Sequence, residues 1–500
     1  MASTGRELGL YERFSHSGQR RRRAFGGAAT STLGSKAAAL ERAISDLLNE
    51  FPLLRGRIEG RYTRTPRFIE RDATSVSDIL DVVRDDDSST RVEGSPSPDE
   101  VLTTRLEAGL HQANEMDVSV GPLWKMLHHD RKDEQSIVLV VHHTLSDGLG
   151  SKNLFAQLIQ RATRPDETQV QIPSLLIPFE HIPQSQEQSV PGLRRLHWSF
   201  MAGIMWAEVI RPFRPFRLIA SKRATVLPNP PLVPPYQQLT ELRIIRSPNE
   251  LMARIKARAR AKGVSTLHPV LLTALFASLL SYRNDRNDAN DLLIDEILLK
   301  TPVLVRDAAL GHPITTGNYI ATISTPPSFK AATLSTGFYS LTRSCASHIS
   351  SPAERTRAEQ MMLTLSLIPD PASAAEAPVE QGTGWETWLR EKMENEVGTW
   401  SCTIDPGSAI GAAIGTNVRL CFASSPPLLQ GVHADPSLGT IQIMSSPASG
   451  CELVVTLSYR RGTIKDALLD HVCGNFPRVL ERLGRLDDSD EGVTLADLTK

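Results

Sequence analysis

Excess charge is the first thing this chain lacks. Its 55 Lys and Arg against 56 Asp and Glu leave a net charge of −1, which excludes a general polyanion binder and leaves room only for local basic patches; nucleic acid is not expected as a partner. Cysteine is scarce: Cys345, Cys402, Cys421, Cys451 and Cys473 all lie in the second half, with no CxxC spacing. That excludes a disulfide framework and a cysteine zinc site and fits unpaired thiols in a reducing compartment. No apolar run is long enough to span a membrane, and residues 1–10 hold no signal-peptide core. A cytoplasmic location is expected, with peripheral contact on an internal membrane left open. The phosphate loop GxxxxGK(S/T), a GxGxxG after a strand and the GxSxG elbow are absent, and Gly407-Ser-Ala-Ile-Gly411 has the wrong order for the elbow. With no marked Ser or Cys nucleophile, direct transfer by a single general base is more economical than a covalent enzyme intermediate.

What is present is an ordinary globular composition, 40% hydrophobic and 22% charged, over a length that exceeds one usual core. Two domains are therefore expected, at residues 1–225 and 239–500, joined by a Pro-rich linker at 226–238. Strands and helices mix in both halves, which gives an α/β or α+β protein of two layered domains. In the first half the pattern predicts a helix over 35–50, a hairpin with strands at 61–62 and 67–69, a solvated loop over 84–100, a helix over 101–112 and a strand over 123–127. Arg20 to Arg23 reads as a solvated turn. Residues 196–220 are rich in aromatics for a chain with 5% overall. They read as a domain-edge helix, as the wall of a hydrophobic acceptor site, or as a shallow membrane anchor. The second half is expected to hold strands at 239–245, 294–305, 318–324, 417–423, 439–445 and 452–459. Its expected helices lie at 248–262, 266–282, 335–349, 353–367, 385–397 and 465–483, with a flexible insertion at 369–383.

The chain is organised around Val138-Leu-Val-Val-His-His-Thr-Leu-Ser-Asp-Gly148. The β-branched run reads as a strand buried on both faces, and alternation sends His142 and His143 to opposite sides. Gly148 is expected to allow a turn into a helix at 151–162. A neutral imidazole suits proton abstraction from an alcohol or amine, so His143 is the leading candidate base. His142 and His143 beside His128 and His129 also invite a metal reading, but alternation splits each pair and no carboxylate or cysteine completes a set, so no metal is expected. His128 and His129 read as strand-end residues. Asp147 could orient His143, cap the following helix, or pair with a distant arginine.

HHTLSDG at 142–148 resembles the HHxxxDG motif of the chloramphenicol acetyltransferase-like superfamily, which includes condensation domains. Leu8-Gly-Leu-Tyr-Glu-Arg13, Phe51-Pro-Leu-Leu54, Pro122-Leu-Trp124 and the length make the chain most similar to the fungal alcohol acetyltransferases within it. The resemblance implies two similar domains, each a mixed sheet covered by helices, with a channel between them. It implies His143 as the base, His142 and Gly148 in support, and Asp147, grouped with His143 in the catalytic motif, pointing away from the acceptor to pair with Arg306. It also implies acetyl-CoA as co-substrate with no permanently bound cofactor, a small alcohol or amine as acceptor, and a monomer. Ser401, in Thr399-Trp-Ser-Cys-Thr403, stands near the place where relatives have an oxyanion-stabilising stretch. Alternatives are a condensation-type enzyme taking its acyl group from a carrier protein, and a non-catalytic binding protein of the same fold. The sequence read here carries no carrier or adenylation segment, so the acyl-CoA donor is the first expectation.

Overall fold

A computed structural model describes residues 5–20, 26–31, 37–60, 63, 65–84, 97–131, 134–163, 176–189, 197–204, 240–285, 297, 299–368, 385, 400–405, 421–424, 439–444, 453–460, 466–487 and 492–500. The linker expected at 226–238, the insertion at 369–383 and the helix at 385–397 beyond Trp385 lie outside them, as does 205–220 of the aromatic stretch. The described part of that stretch forms the short helix Trp198–Ile204, with Trp198 exposed.

Two mixed sheets carry the fold. The first has five strands, in the order Cys421–Ser424, Gly26–Ser31, Glu134–His142, Trp124–Arg131 and Leu80–Arg84. Its central strand is the apolar run before the histidines. Ile137, Leu139 and Val141 enter one buried cluster with Leu40, Ile44, Leu47, Phe155 and Leu158, while Val138 and Val140 enter another with Leu106 and Leu110. Burial on both faces explains why the run does not alternate with polar residues. The poorly apolar Gly26–Ser31 still makes a strand because it pairs along this central one, Gly26 opposite His142. Cys421–Ser424, from the second half, closes the sheet edge by pairing with Gly26–Ser31.

The second sheet has six strands, in the order Ile320–Ser324, Leu299–Leu304, Trp400–Asp405, Gly439–Met444, Leu453–Arg460 and Thr240–Ser247. The helix His268–Asp285 is apolar on all sides and lies at the centre of that half's core, packed among Leu468, Val472, Phe476 and Val479 of Asp466–Arg485. No helix among the described residues is long and apolar enough to cross a membrane.

Several local expectations need correction. Arg67–Glu70 pairs with Gly56–Glu59, and the chain turns at Gly60, whose φ is +63°; the strand expected at 61–62 lies outside the described residues. The helix expected from 101 starts at Pro98: Ser97 and Glu100 form a capping box, so the acidic residues taken as loop complete a helix N-terminus. His128 and His129 are not strand-end residues. They sit inside Trp124–Arg131, buried, opposite Ile137 and Ser136.

That capped helix, Pro98–Glu115, joins the two halves. Leu102, Leu106 and Leu110 pack against Val138 and Val140 of the first sheet and Leu242 of the second. Glu107 accepts the Leu242 N–H at 2.7 Å, and Arg246 forks onto Asp99. Leu106 is fully buried in this seam. Leu106→Ala should therefore cost about 2–5 kcal/mol, read as a drop in the urea midpoint, whereas Leu106→Met should cost under about 1.5 kcal/mol. A near-wild-type midpoint for the alanine variant would contradict the joining role.

Candidate active site

The strand Glu134–His142 ends at the first histidine, and the chain turns at once. His142 is fully buried, and its Nδ1 accepts the Thr144 N–H at 3.2 Å, so its imidazole shapes the turn. His143 follows and is partly buried. Asp147 then caps the helix Gly148–Ala162, its Oδ1 accepting the Gly150 N–H at 2.8 Å.

Against this turn lies residues 313–319 of the second half. Gly317 N–H donates to Leu145 O at 2.7 Å, Asp147 N–H to Gly317 O at 3.2 Å, and Ser146 Oγ–H to Thr315 O at 2.9 Å. Arg306 enters from behind. Its Nη2 lies 2.7 Å from Asp147 Oδ2, its Nη1 donates to Thr316 O at 2.9 Å and also to Pro313 O, and its guanidinium stacks over the Tyr319 ring at 4.8 Å. The Arg306 side chain is 6% exposed and that of Asp147 0%, so this is a buried pair and not a solvated strand-end charge. Asp147 Oδ2 also accepts the Tyr319 N–H at 3.0 Å. Of the three roles open to Asp147, the geometry holds two: it caps and it braces. The described contacts of its carboxylate go to Gly150, Arg306 and Tyr319.

His143 is oriented by a residue the sequence did not single out. Asn318 Nδ2 donates to two main-chain carbonyls, His143 O at 2.6 Å and Thr144 O at 3.0 Å. Those two acceptors fix which end of the amide is nitrogen, so Oδ1 must be what faces His143 Nδ1, 3.0 Å away. Nδ1 is then the protonated ring nitrogen, and Nε2 carries the basic lone pair. Burial lowers the His143 pKa below the ordinary histidine value, opposed by the Asp147 charge and the Asn318 hydrogen bond. The imidazole is therefore neutral at pH 7 and able to accept a proton. Tyr11, from the helix Leu10–Arg20, packs its ring 5.6 Å from that of His143. No local sequence signal marks Asn318, whose partner His143 lies 175 residues away.

Gly148 does not have the expected part. Its backbone is unstrained and a Cβ there would meet nothing within 4 Å. The glycines the turn requires are Gly150, where a Cβ would come within 2.2 Å of Ser146 Oγ and 3.0 Å of Arg306 Nη2, and Gly317, at φ +81°. Ser401 is in register with Lys300 and Thr440 on the second sheet, and no described contact links it to His143. Among the described residues, no group of three or more His, Cys, Asp or Glu side chains gathers as a metal site.

No family model and no curated protein matches the chain. Solved structures do. The first condensation domain of the calcium-dependent antibiotic synthetase, in complex with a substrate analogue, is 14% identical, with a TM-score of 0.61 over 99% of each chain. The condensation domain of the monacolin K polyketide synthase is 14% identical, with a TM-score of 0.58 over 99% of each chain. The cyclization-docking bidomain of a Sorangium cellulosum nonribosomal peptide synthetase gives 14% and 0.57, over 97% of this chain and 87% of that one. The fold is thus the chloramphenicol acetyltransferase-like fold in the form that condensation domains have.

Two predictions follow from this geometry. Removing one partner of the buried pair, by Asp147→Asn or Arg306→Ala, should each cost about 3–5 kcal/mol, and the double variant should cost less than the sum of the two. Additive losses in urea denaturation would show that the two side chains do not act as a unit. The second concerns His312, whose ring stacks on Tyr319 at 4.0 Å. Its Nδ1 accepts the Asp307 N–H at 2.9 Å, so Nε2–H donates to Ser189 Oγ at 2.6 Å. Burial, then the Arg306 charge, holds its pKa below the ordinary value of 6.5. A histidine kept neutral by the fold binds fewer protons folded than unfolded. Its contribution is full above about pH 6.5 and is lost as pH falls through that value. The urea midpoint should fall more steeply from pH 7 to 5 in the wild type than in His312→Asn; equal slopes would rule this out.

Proposed function

We propose that the protein is an acyltransferase that passes an acyl group from a thioester to a hydroxyl or amine, with His143 as general base. The observation that carries this reading is the hydrogen bond from His143 Nδ1 to Asn318 Oδ1, which commits Nε2 to be the basic nitrogen. His143 Nε2 takes the proton of the acceptor O–H or N–H as the acceptor attacks the thioester carbonyl. The tetrahedral intermediate collapses by breaking the carbon–sulfur bond, and the leaving thiolate receives its proton from His143 Nε2–H. Acyl passes to the acceptor, the free thiol is released and the base returns to its starting state. His142, Asp147 and Arg306 position this group and do not touch the reacting atoms. Ser401 remains the candidate donor to the oxyanion.

For the donor, similarity to condensation domains supports an acyl group held on a carrier protein. Acyl-CoA is the second reading, favoured by Leu8-Gly-Leu-Tyr-Glu-Arg13 and Phe51-Pro-Leu-Leu54, which resemble the alcohol acetyltransferases. Both donors present a thioester to the same base.

The test offers purified protein an acyl-CoA panel and an acyl-loaded carrier, each with alcohols and amines, and follows free thiol and product mass. Turnover with the carrier alone supports the first donor, and turnover with CoA the second. Thiol release with neither would leave a binding protein of this fold. His143→Ala should lower kcat by about 10²–10⁴. The acidic limb of the rate profile should lie below pH 6.5, because only there does the lowered pKa let His143 become protonated. Asn318→Leu removes a hydrogen bond that raises this pKa, so it should move the limb lower still and reduce kcat. An unmoved limb would show that Asn318 does not set the protonation of His143.

A further inference from the structure

Tyr11 brings a second functional group to the neighbourhood of His143. Its ring lies 5.6 Å from that of His143, tilted by 59°, and 5.7 Å from that of Phe14, so packing holds it in place. The helix that carries it is pinned at its start, where Arg6 bonds Glu12 and Glu187 Oε1 accepts the Leu10 N–H at 2.9 Å. A phenylalanine would pack as well here, and a buried tyrosine ordinarily gives its hydroxyl a protein partner. Tyr319 follows that rule, donating to Gln184 O at 2.7 Å. Tyr11 does not. Its O–H has no hydrogen bond among the described residues, and although the residue is only 9% exposed, its hydroxyl oxygen is not closed off. Other donors near His143 are engaged: Asn318 Nδ2 serves two carbonyls, and Thr144 N–H goes to His142 Nδ1. Thr144 Oγ1 is unpartnered too, but it is fully buried and out of reach of a substrate. Burial, then the Asp147 charge, raises the Tyr11 pKa, so the phenol keeps its proton wherever His143 is neutral.

We infer that the Tyr11 hydroxyl donates a hydrogen bond to the oxyanion that forms during acyl transfer, in addition to any donor at Ser401. This assignment rests on the transfer reaction proposed above. A neutral donor with no partner in the resting protein has no bond to break when charge appears on the thioester oxygen. With a hydrogen bond of about 2.7 Å at each end of the tetrahedral O–C–O unit, base and donor stand about 5–7 Å apart. Two rings centred 5.6 Å apart can frame that gap. No proton leaves the phenol; His143 carries both proton transfers, and Tyr11 supplies only the hydrogen bond.

The test is Tyr11→Phe in the full chain, which removes the hydroxyl and keeps the ring. With the thioester and acceptor that the wild type uses, kcat and kcat/KM should both fall by about 10²–10³. KM, the urea midpoint and the acidic limb of the rate profile should not move, because the hydroxyl gives up no protein bond and His143 keeps its neighbouring ring. A wild-type kcat in Tyr11→Phe would overturn the assignment and leave the His143 chemistry standing. So would a raised KM at unchanged kcat, which would make the hydroxyl a contact of the ground state. A fall in kcat that comes with a lower urea midpoint or a shifted acidic limb would reduce Tyr11 to a positioning residue, and would also overturn it. A wild type that releases thiol from neither donor would end the transfer reaction, and this assignment with it.

Discussion

One carboxylate holds the site together. Asp147 is fully buried, and its oxygens receive the Gly150 N–H, the Arg306 guanidinium and the Tyr319 N–H. These three donors come from a helix start, a strand end and the entry to another strand, so a single side chain ties both halves of the chain to the histidine turn. Burying such a charge is costly, and the cost is offset only because every partner is a hydrogen-bond donor at short range. The pair need not add net stability to matter. Its value lies in geometry, because each donor approaches from a different direction and the carboxylate satisfies all of them only in one relative placement of the two halves.

The placement of His143 follows from that clasp. Residues 315–319 lie against 144–147 through main-chain bonds, and Asn318, two residues beyond Thr316, is thereby delivered to the His143 ring. His143 is thus set across the junction: its ring is on the first half and its tautomer is fixed by the second. The small residues at Gly150 and Gly317 are what permit so close an approach, since a Cβ at either would strike Ser146 or Tyr319.

Much of this was legible in the sequence. A β-branched run with no polar alternation could only be a strand covered on both sides, and its end at His142 placed the second histidine at a turn. Arg306 was found through resemblance, as a basic residue closing a strand. What stayed hidden depends on contacts between distant segments. Nothing local marks Asn318 as a partner of His143, 175 residues away. A glycine in a motif invites an argument from backbone freedom, yet at Gly148 the backbone is ordinary, and the need falls two residues on, where space is decided by Arg306. Ser97 and Glu100 were readable as a capping box, but the acidic, Ser- and Pro-rich surroundings obscured it.

The residues 184–189 connect the clasp to the N-terminal helix. Tyr319 O–H donates to Gln184 O at 2.7 Å and His312 bonds Ser189, so one side of this segment is held by the same strand entry that braces Asp147. On its other side Glu187 holds the Leu10 N–H, at the start of the helix that presents Tyr11 to His143. That helix has its own anchor, since Arg6 forks onto Glu12 at 2.7 Å and Glu12 in turn accepts the Gly9 N–H. Tyr11 is therefore fixed from two directions, by a local ion pair and by a segment tied to the clasp. A shift of the two halves would reach His143 through Asn318 and Tyr11 through Glu187, so the two neighbouring rings move as one assembly.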